Sequence, residues 1–171
     1  MSEEVYEIWT VEDWKNVPEE GKAILRDNID FDRETYDESF RFDLEGELEF
    51  DGYKIKNILL TDASLFGTKG KLKVRNPVIN NIQVVGGEYG YLASGDREDS
   101  KILFENAEME VKMTRTERNG SFIGDIEHYF IDSKVYIQLD DKATSEFVDD
   151  SYVEAVSVNG RFVNTSFTIK Y

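Results

Sequence analysis

The chain has 171 residues, 40% of them apolar, with 11 Phe and 9 Tyr, which is enough to bury a core as one domain. A formal net charge of −16 argues against direct binding to nucleic acid or to an anionic membrane, because those contacts need clustered Lys and Arg. The absence of cysteine excludes a disulfide framework and thiolate chemistry.

The negative charge is unevenly placed along the chain. Residues 1–53 hold 18 acids and 5 bases, whereas residues 54–171 hold 18 acids and 15 bases. We therefore expect a single domain, 1–171, with an acidic N-terminal part, 1–53, followed by repeated coils, 54–171. The chain starts without a secretory pattern and has no apolar run long enough to span a membrane, which predicts a cytoplasmic protein.

The first predicted element is a short helix. Thr10 can cap it, Asp13 stands three positions later as in a capping box, and Pro18 ends it. After the helix, residues 23–31 are predicted to form a strand and residues 32–39 a polar loop. Strands and turns are expected for the rest of the chain.

An unbroken alternation from Phe40 to Asp51 predicts one strand with an apolar face and a carboxylate face. Side chains on one face recur every second residue, so the acids would stand about 6.6 Å apart. Such a row resembles one strand of a nucleic-acid backbone, but it also serves to blunt sheet-to-sheet aggregation. The row consists of Asp43, Glu45, Glu47, Glu49 and Asp51.

A repeat follows from residue 54 onward. Short apolar strands recur around polar positions spaced 22 to 26 residues apart, and a period in the twenties indicates stacked coils. The pattern predicts an all-β, right-handed parallel β-solenoid of about five or six short coils with an N-terminal capping helix, and a β-sandwich is the alternative. The aligned polar positions are Asn57, Asn81, Asn106, Asp132 and Glu154.

Four segments together resemble the GLUG-motif family. They are Ile8–Asp13 with Trp14, Asp27–Phe31, Gly52–Ile58 and Leu65–Gly67. The resemblance implies a short helical cap, a right-handed β-helix and a role as a surface or adhesion repeat module. The small-residue spacing of that family is approached only at Ser64–Gly67 and Gly120–Gly124.

The sequence gives little sign of catalysis. His128 is the only histidine, without a second His or Cys to complete a transition-metal site, and we expect it at the surface or in a turn. No nucleophile elbow or phosphate-binding loop is present. We therefore predict no catalytic residues, no metal site and no cofactor. The acidic turn of Asp27, Asp30 and Asp32 has no EF-hand spacing.

These features favour a non-catalytic inhibitor whose acidic surface blocks the basic groove of a nucleic-acid-binding protein. The profile resembles phage-type anti-defence proteins, including inhibitors of CRISPR effectors, which act in the cytoplasm of the host cell. An adhesion or structural β-helix module and a small glycan-binding or glycan-active protein are the alternatives. An open last coil near Phe167–Ile169 invites pairing with a second copy. The predicted binding residues beyond the acidic row are Asp27, Asp30, Asp32, Glu34, Asp37 and Glu38.

Overall fold

Stacked β-coils make up most of the described chain. The computed structural model describes residues 4–37, 40, 42–61, 63–84, 92–95, 97–113, 126–139 and 160–170. The helix is α1, Val11–Lys15. Numbered in chain order, the strands are β1 Val5–Ile8, β2 Glu20–Leu25, β3 Ile29–Asp30, β4 Thr35–Tyr36, β5 Glu45–Glu49, β6 Ile55–Leu60, β7 Phe66–Thr68, β8 Lys71–Arg75, β9 Val78–Val84, β10 Ala93–Gly95, β11 Lys101–Glu105, β12 Glu108–Met113, β13 Glu127–Ile131, β14 Lys134–Leu139, β15 Gly160–Val163 and β16 Ser166–Lys170.

The strands form two long parallel sheets. Sheet A has the order β1-β2-β5-β8-β11-β13-β15, and sheet B has the order β3-β6-β9-β12-β14-β16, with β4 also paired to β6. A short sheet C pairs β7 with β10. Every strand pair in these sheets is parallel, whereas a β-sandwich is built from antiparallel strands. The predicted β-solenoid is confirmed, and the sandwich alternative is wrong.

The solenoid has about four complete turns. In these turns each coil places a strand of five or more residues in both long sheets, namely β5 with β6, β8 with β9, β11 with β12, and β13 with β14. At each end one of the two strands is shorter: the two-residue β3 follows β2, and the four-residue β15 precedes β16. The right-handed winding stays a prediction.

Aromatic side chains stack inside the solenoid from coil to coil. Val74, Phe104, Phe130 and Phe162 occupy one register position on successive strands of sheet A. The ring centroids of Phe104 and Phe130 lie 4.7 Å apart, and those of Phe130 and Phe162 lie 5.8 Å apart. Because parallel in-register pairing repeats the same inward position in each coil, the core is a set of such columns.

The predicted N-terminal helix is confirmed. Thr10 Oγ1 accepts a hydrogen bond from the Asp13 N–H at 3.1 Å, and Asp13 Oδ2 accepts one from the Thr10 N–H at 3.1 Å, which completes the capping box. Trp14 is fully buried against Phe42, with ring centroids 4.7 Å apart. The apolar side of the helix therefore packs on the core of the first coils.

Two predicted segments are divided differently in the structure. The strand expected over residues 23–31 is split into β2 and β3 by a corner at residues 26–28. The expected loop at 32–39 contains β4, whose Tyr36 is fully buried and accepts a hydrogen bond from the Trp14 indole N–H at 3.1 Å. The first difference arises because a coil corner interrupts hydrogen bonding without changing the apolar pattern, and the second because a two-residue strand is too short to show an alternation.

Left-handed residues turn the chain from sheet A into sheet B. Asn76, Asn106, Asp132 and Asn164 have φ between 47° and 55° and follow β8, β11, β13 and β15. Asn and Asp adopt this conformation more readily than other non-glycine residues. The Asn106 side-chain amide donates to Asn76 Oδ1 at 2.9 Å, and that of Asn164 donates to Asp132 Oδ1 at 2.7 Å. Neighbouring corners are thereby linked.

The repeat alignment predicted from the sequence is wrong in its middle. Asn57 and Asn81 are equivalent, 24 residues apart, and the Asn81 amide donates to Asn57 Oδ1 at 2.7 Å. Asn106 instead matches Asn76, 30 residues away, and the step from Asp132 to Asn164 is 32 residues. The β5–β6 coil has two left-handed non-glycine positions, Asp51 and Asn57, and so has the β8–β9 coil, Asn76 and Asn81, so a corner position and a position within a strand look alike in the sequence. Glu154 lies outside the described residues.

The last strands of both long sheets are β15 and β16 in the part of the chain that the structure describes. Phe167 is half-buried there and packs edge-on against Phe162, with ring centroids 4.9 Å apart. Association of a second copy through this end stays a prediction.

Replacing Asn106 tests the importance of the left-handed corner. We expect Asn106→Ala to lower the free energy of unfolding by about 1–2 kcal/mol, because alanine does not adopt positive φ without strain. Asn106→Gly is the matched control, since glycine adopts the same φ freely, and it should cost less. Chemical denaturation of the three proteins measures both effects. Equal stability of the alanine variant and the unsubstituted protein would contradict this role of the corner.

Candidate binding surface

The acidic row, which we call the β5 row, is divided over a coil corner. Strand β5 holds only its three glutamates, Glu45, Glu47 and Glu49. Asp43 forms an isolated bridge with Gly67 before the strand, and Asp51 follows it in a turn with a φ of 52°. The prediction of one unbroken strand is wrong, but the predicted alternation of buried apolar and outward acidic side chains is correct. The buried residues of this segment are Phe40, Phe42, Leu44, Leu48 and Phe50.

The division follows from a change of hydrogen-bonding partner. The Leu44 N–H donates to the Gly67 carbonyl of β7 at 3.0 Å, whereas the Glu45 N–H donates to the Glu19 carbonyl, next to β2, at 2.8 Å. The chain therefore passes from sheet C to sheet A between these two residues. An alternating pattern tells which side chains face the core, but it does not show where the strand direction changes.

Most of the β5 row is engaged with other parts of the protein. Asp51 Oδ2 lies 3.8 Å from Arg26 Nη1, and Asp43 Oδ2 lies 3.6 Å from Lys69 Nζ. The other contacts are made by Glu47 Oε1, 3.2 Å from Arg75 Nη1, and by Glu49, whose two oxygens accept from the Asn76 amide at 3.2 Å. The Glu45 carboxylate makes no such contact with the described residues.

Strand register brings cations beside the row, although Arg75, the cation that pairs with Glu47, is aligned with Glu49. Glu47 is aligned with Lys22 of β2 on one side and with Lys73 of β8 on the other. The hydrogen bond and charge of Glu47 raise the pKa of Arg75. The charges of Glu19 and Asp43 raise the pKa of Lys69. The row is therefore part of a mixed-charge surface and does not present five free carboxylates.

A second group, the first-coil carboxylates, lies at the corner after β2 and around β3 and β4. We define it as Asp27, Asp30, Asp32, Glu34 and Asp37; Glu38 lies outside the described residues. Asp27, Asp30, Asp32 and Glu34 are exposed, and Asp37 is half-buried. Because β3 ends sheet B, these carboxylates lie at the N-terminal end of the solenoid.

Asp30 is the most constrained of the first-coil carboxylates. Its Oδ1 accepts hydrogen bonds from the Asn57 amide at 3.0 Å and from the Asp32 N–H at 2.8 Å, and its Oδ2 lies 3.8 Å from Lys56 Nζ. These contacts, with the Asn57 hydrogen bond the largest cause, lower the pKa of Asp30. Glu34 is held more loosely, with Oε1 3.4 Å from Lys15 Nζ.

Charge changes sign along the outer face of sheet A. Strands β2 and β5 carry four outward glutamates and Lys22, whereas the outward residues of β8 are Lys71, Lys73 and Arg75. An open groove of about 430 Å³, whose lining is mainly apolar, crosses β8, β11 and β13. The groove is lined by Gly46, Lys71, Leu72, Lys73, Lys101, Ile102, Leu103, Tyr129 and Ile131. On this face of the described strands, the run of outward glutamates is interrupted at β8.

Sequence reasoning missed Trp9 as a surface residue. An apolar residue just before a helix cap usually packs onto the first helical turn, so the pattern gives no sign of exposure. In the structure 52% of Trp9 is exposed, next to β1 at the N-terminal edge of sheet A.

The prediction of a surface or turn position for His128 is wrong. His128 is 2% exposed, and its Nδ1 lies 2.9 Å from the Ile126 carbonyl oxygen. Register places it inward in β13, beside Ile102 of β11 and Gly160 of β15. A polar residue that faces the core can be recognised from the sequence only when the repeat alignment is known, and here that alignment was wrong by several residues.

The described residues contain no group of three or more His, Cys, Asp or Glu placed to hold a metal ion. Within the same residues, no helix has the length and apolar character needed to cross a bilayer.

Comparisons with family models, with curated proteins and with solved structures returned no significant match.

Titration of Asp30 tests the geometry of the first coil. We expect NMR to give Asp30 a pKa below its ordinary value and Asn57→Gly to raise it, because glycine keeps the left-handed backbone but removes the amide donor. Since the folded pKa is lowered, this carboxylate stabilises the fold above its unfolded pKa, and that stabilisation is lost as pH falls through the folded pKa. The same Asp30 pKa in both proteins would contradict the assignment.

Proposed function

We propose that this protein is a non-catalytic acidic inhibitor that occupies the basic groove of a nucleic-acid-binding protein. In this proposal it acts as an anti-defence protein of the type that inhibits CRISPR effectors, in the cytoplasm of the host cell if it is phage-encoded. The observation that carries the proposal is the concentration of exposed carboxylates on the first coils, on a rigid parallel-sheet scaffold. The β-solenoid supports the proposal because its hydrogen-bonded coils hold these carboxylates in fixed positions.

Several acids of this end are well exposed. Asp27 and Asp32 are exposed. The side chains of Glu19 and Glu34 are 74% and 54% exposed, although they lie 3.6 and 3.4 Å from Lys69 and Lys15. Exposed carboxylates keep most of their charge available for a cationic partner. Lys and Arg that hold phosphates in the partner's groove would pair with them instead.

The β5 row has a secondary part in this proposal. Its Asp43, Glu47 and Asp51 already have internal cations, so a partner would have to replace Lys69, Arg75 or Arg26. An exchange of one ion pair for another at a wet surface gains little free energy. Asp30 and Glu34 are paired in the same way, with Lys56 and Lys15, so among the first-coil carboxylates we assign recognition mainly to Asp27 and Asp32. Glu45 and Glu49, which form no ion pair with the described residues, add charge from the row.

Association through such a surface should be fast and sensitive to salt. Complementary charge raises the association rate, and the effect falls with ionic strength, since screening acts over about 10 Å at 0.1 M salt. Duplex DNA or RNA should compete for the same basic groove. These three properties separate the proposal from simple adhesion.

An adhesion or structural β-helix module, as the GLUG resemblance implies, is the second candidate. The ion pairs between neighbouring coils favour it, because they give the acids of the β5 row a role in solubility and coil pairing. This candidate predicts indifference to basic proteins at low salt.

The test begins with capture from a nuclease-treated bacterial lysate at low salt and at about half-molar salt. The expected result is a nucleic-acid-binding protein that is retained only at low salt and displaced by duplex DNA or RNA. We then expect the triple variant Asp27→Asn, Asp32→Asn, Glu34→Gln to slow its association about tenfold, measured by surface plasmon resonance.

A matched control removes three exposed carboxylates elsewhere, through Glu98→Gln, Glu108→Gln and Glu110→Gln. It changes net charge by the same amount, so an equal slowing would show a nonspecific charge effect and contradict the assigned surface. Both triple variants should melt within a few degrees of the unsubstituted protein, because exposed substitutions rarely change stability by more than about 0.5 kcal/mol. A partner that DNA and RNA do not displace would overturn the inhibitor proposal.

A further inference from the structure

One large aromatic side chain lies outside the core at the acidic end of the solenoid. The chain has two tryptophans, of which Trp14 is fully buried and Trp9 is 52% exposed. The backbone N–H of Trp9 donates to Asp13 Oδ2 at 2.9 Å, and the same oxygen accepts from the backbone N–H of Thr10. The capping box therefore fixes the backbone that carries the exposed ring.

Trp9 does not pack on Trp14, the helical residue that it would be expected to contact. A residue just before a cap commonly packs on the fourth helical residue, which here is Trp14. Trp14 is instead enclosed by Phe31 and Phe42, with ring centroids 5.7 and 4.7 Å away. Among the described residues no aromatic ring stacks on Trp9. Its indole is presented to solvent on a fixed support.

The surroundings of Trp9 are acidic. The Trp9 indole N–H lies 3.4 Å from Glu7 Oε2, and the other oxygen of Glu7 accepts from Arg26 Nε at 3.1 Å. Glu4 and Glu12 are exposed on either side in sequence, and Val5 of β1 is 37% exposed. Because Glu7 is already paired with Arg26, as Asp51 is, a partner's cation would gain mainly from the exposed indole face.

We propose that Trp9 anchors a Lys- or Arg-bearing segment of the basic partner, with a cationic side chain lying on the indole face and the Glu7 carboxylate, whose Oε2 lies 3.4 Å from the indole nitrogen, beside it. The cation–π geometry favours Trp over the other aromatic residues, and arginine is the more frequent cation. Charge complementarity selects a basic protein segment over an acidic or neutral one. This inference rests on the function proposed above and assigns its contact residue.

Binding of nona-arginine, followed at low salt by fluorescence polarisation of a labelled peptide, tests the contact. We expect Trp9→Ala to weaken binding about tenfold, because the cation–π contact is lost. Val163→Ala is the matched control, since Val163 is 59% exposed but belongs to β15 at the opposite edge of sheet A, and it should bind as the unsubstituted protein does.

Intrinsic fluorescence gives a second readout. Titration of the unsubstituted protein with nona-arginine should change tryptophan emission, whereas Trp9→Phe, which keeps only the buried Trp14, should show no change. Thermal melting checks that the Trp9 variants remain folded. Emission that changes equally in both proteins would overturn the contact at Trp9.

The outcomes separate this inference from the proposed function. If Trp9→Ala binds nona-arginine and the captured partner normally while the Asp27, Asp32, Glu34 triple variant does not, the Trp9 contact is wrong and the inhibitor proposal stands. If neither ligand binds the unsubstituted protein, both are wrong. If Trp9→Ala instead dissociates a dimer in sedimentation, the patch binds a second copy and the inference is overturned.

Discussion

In-register stacking of parallel strands is the constraint on which the rest of this structure depends. Each coil must return the chain to the same position 24 to 32 residues later, and the corners do this with left-handed residues such as Asn76, Asn106 and Asn164. Their amides bond from one coil to the next. The same register that aligns Phe104 with Phe130 inside also aligns the charged residues outside.

The surface chemistry follows from that register. A strand of glutamates such as β5 does not stand alone, because β8 brings Lys73 and Arg75 alongside Glu47 and Glu49. At the N-terminal end of the stack, Asp27 and Asp32 form no ion pair with the described residues. The acidic end, with Asp27, Asp32 and the exposed Trp9, is therefore the surface best suited to a basic partner.

The sequence predicted the parts of the fold that depend on local patterns. Strand parity identified Leu48 and Phe50 as buried, and the Thr10 capping box marked the helix, because both signals lie within a few residues. It failed where long-range register decides: the pairing of Asn106 with Asn76, the inward position of His128 and the ion pair of Glu47 with Arg75. For the candidate site, it identified the acidic N-terminal part but not which carboxylates are paired internally.

The central claim is that recognition takes place at the acidic N-terminal end. Hydrogen–deuterium exchange of the protein, alone and with the captured partner, tests this most directly because it locates the covered backbone without any substitution. We expect added protection within residues 4–37, at β1, the corner after β2, and β3 to β4. Protection confined to β8, β11 and β13, where the lysine-flanked groove lies, would contradict the account.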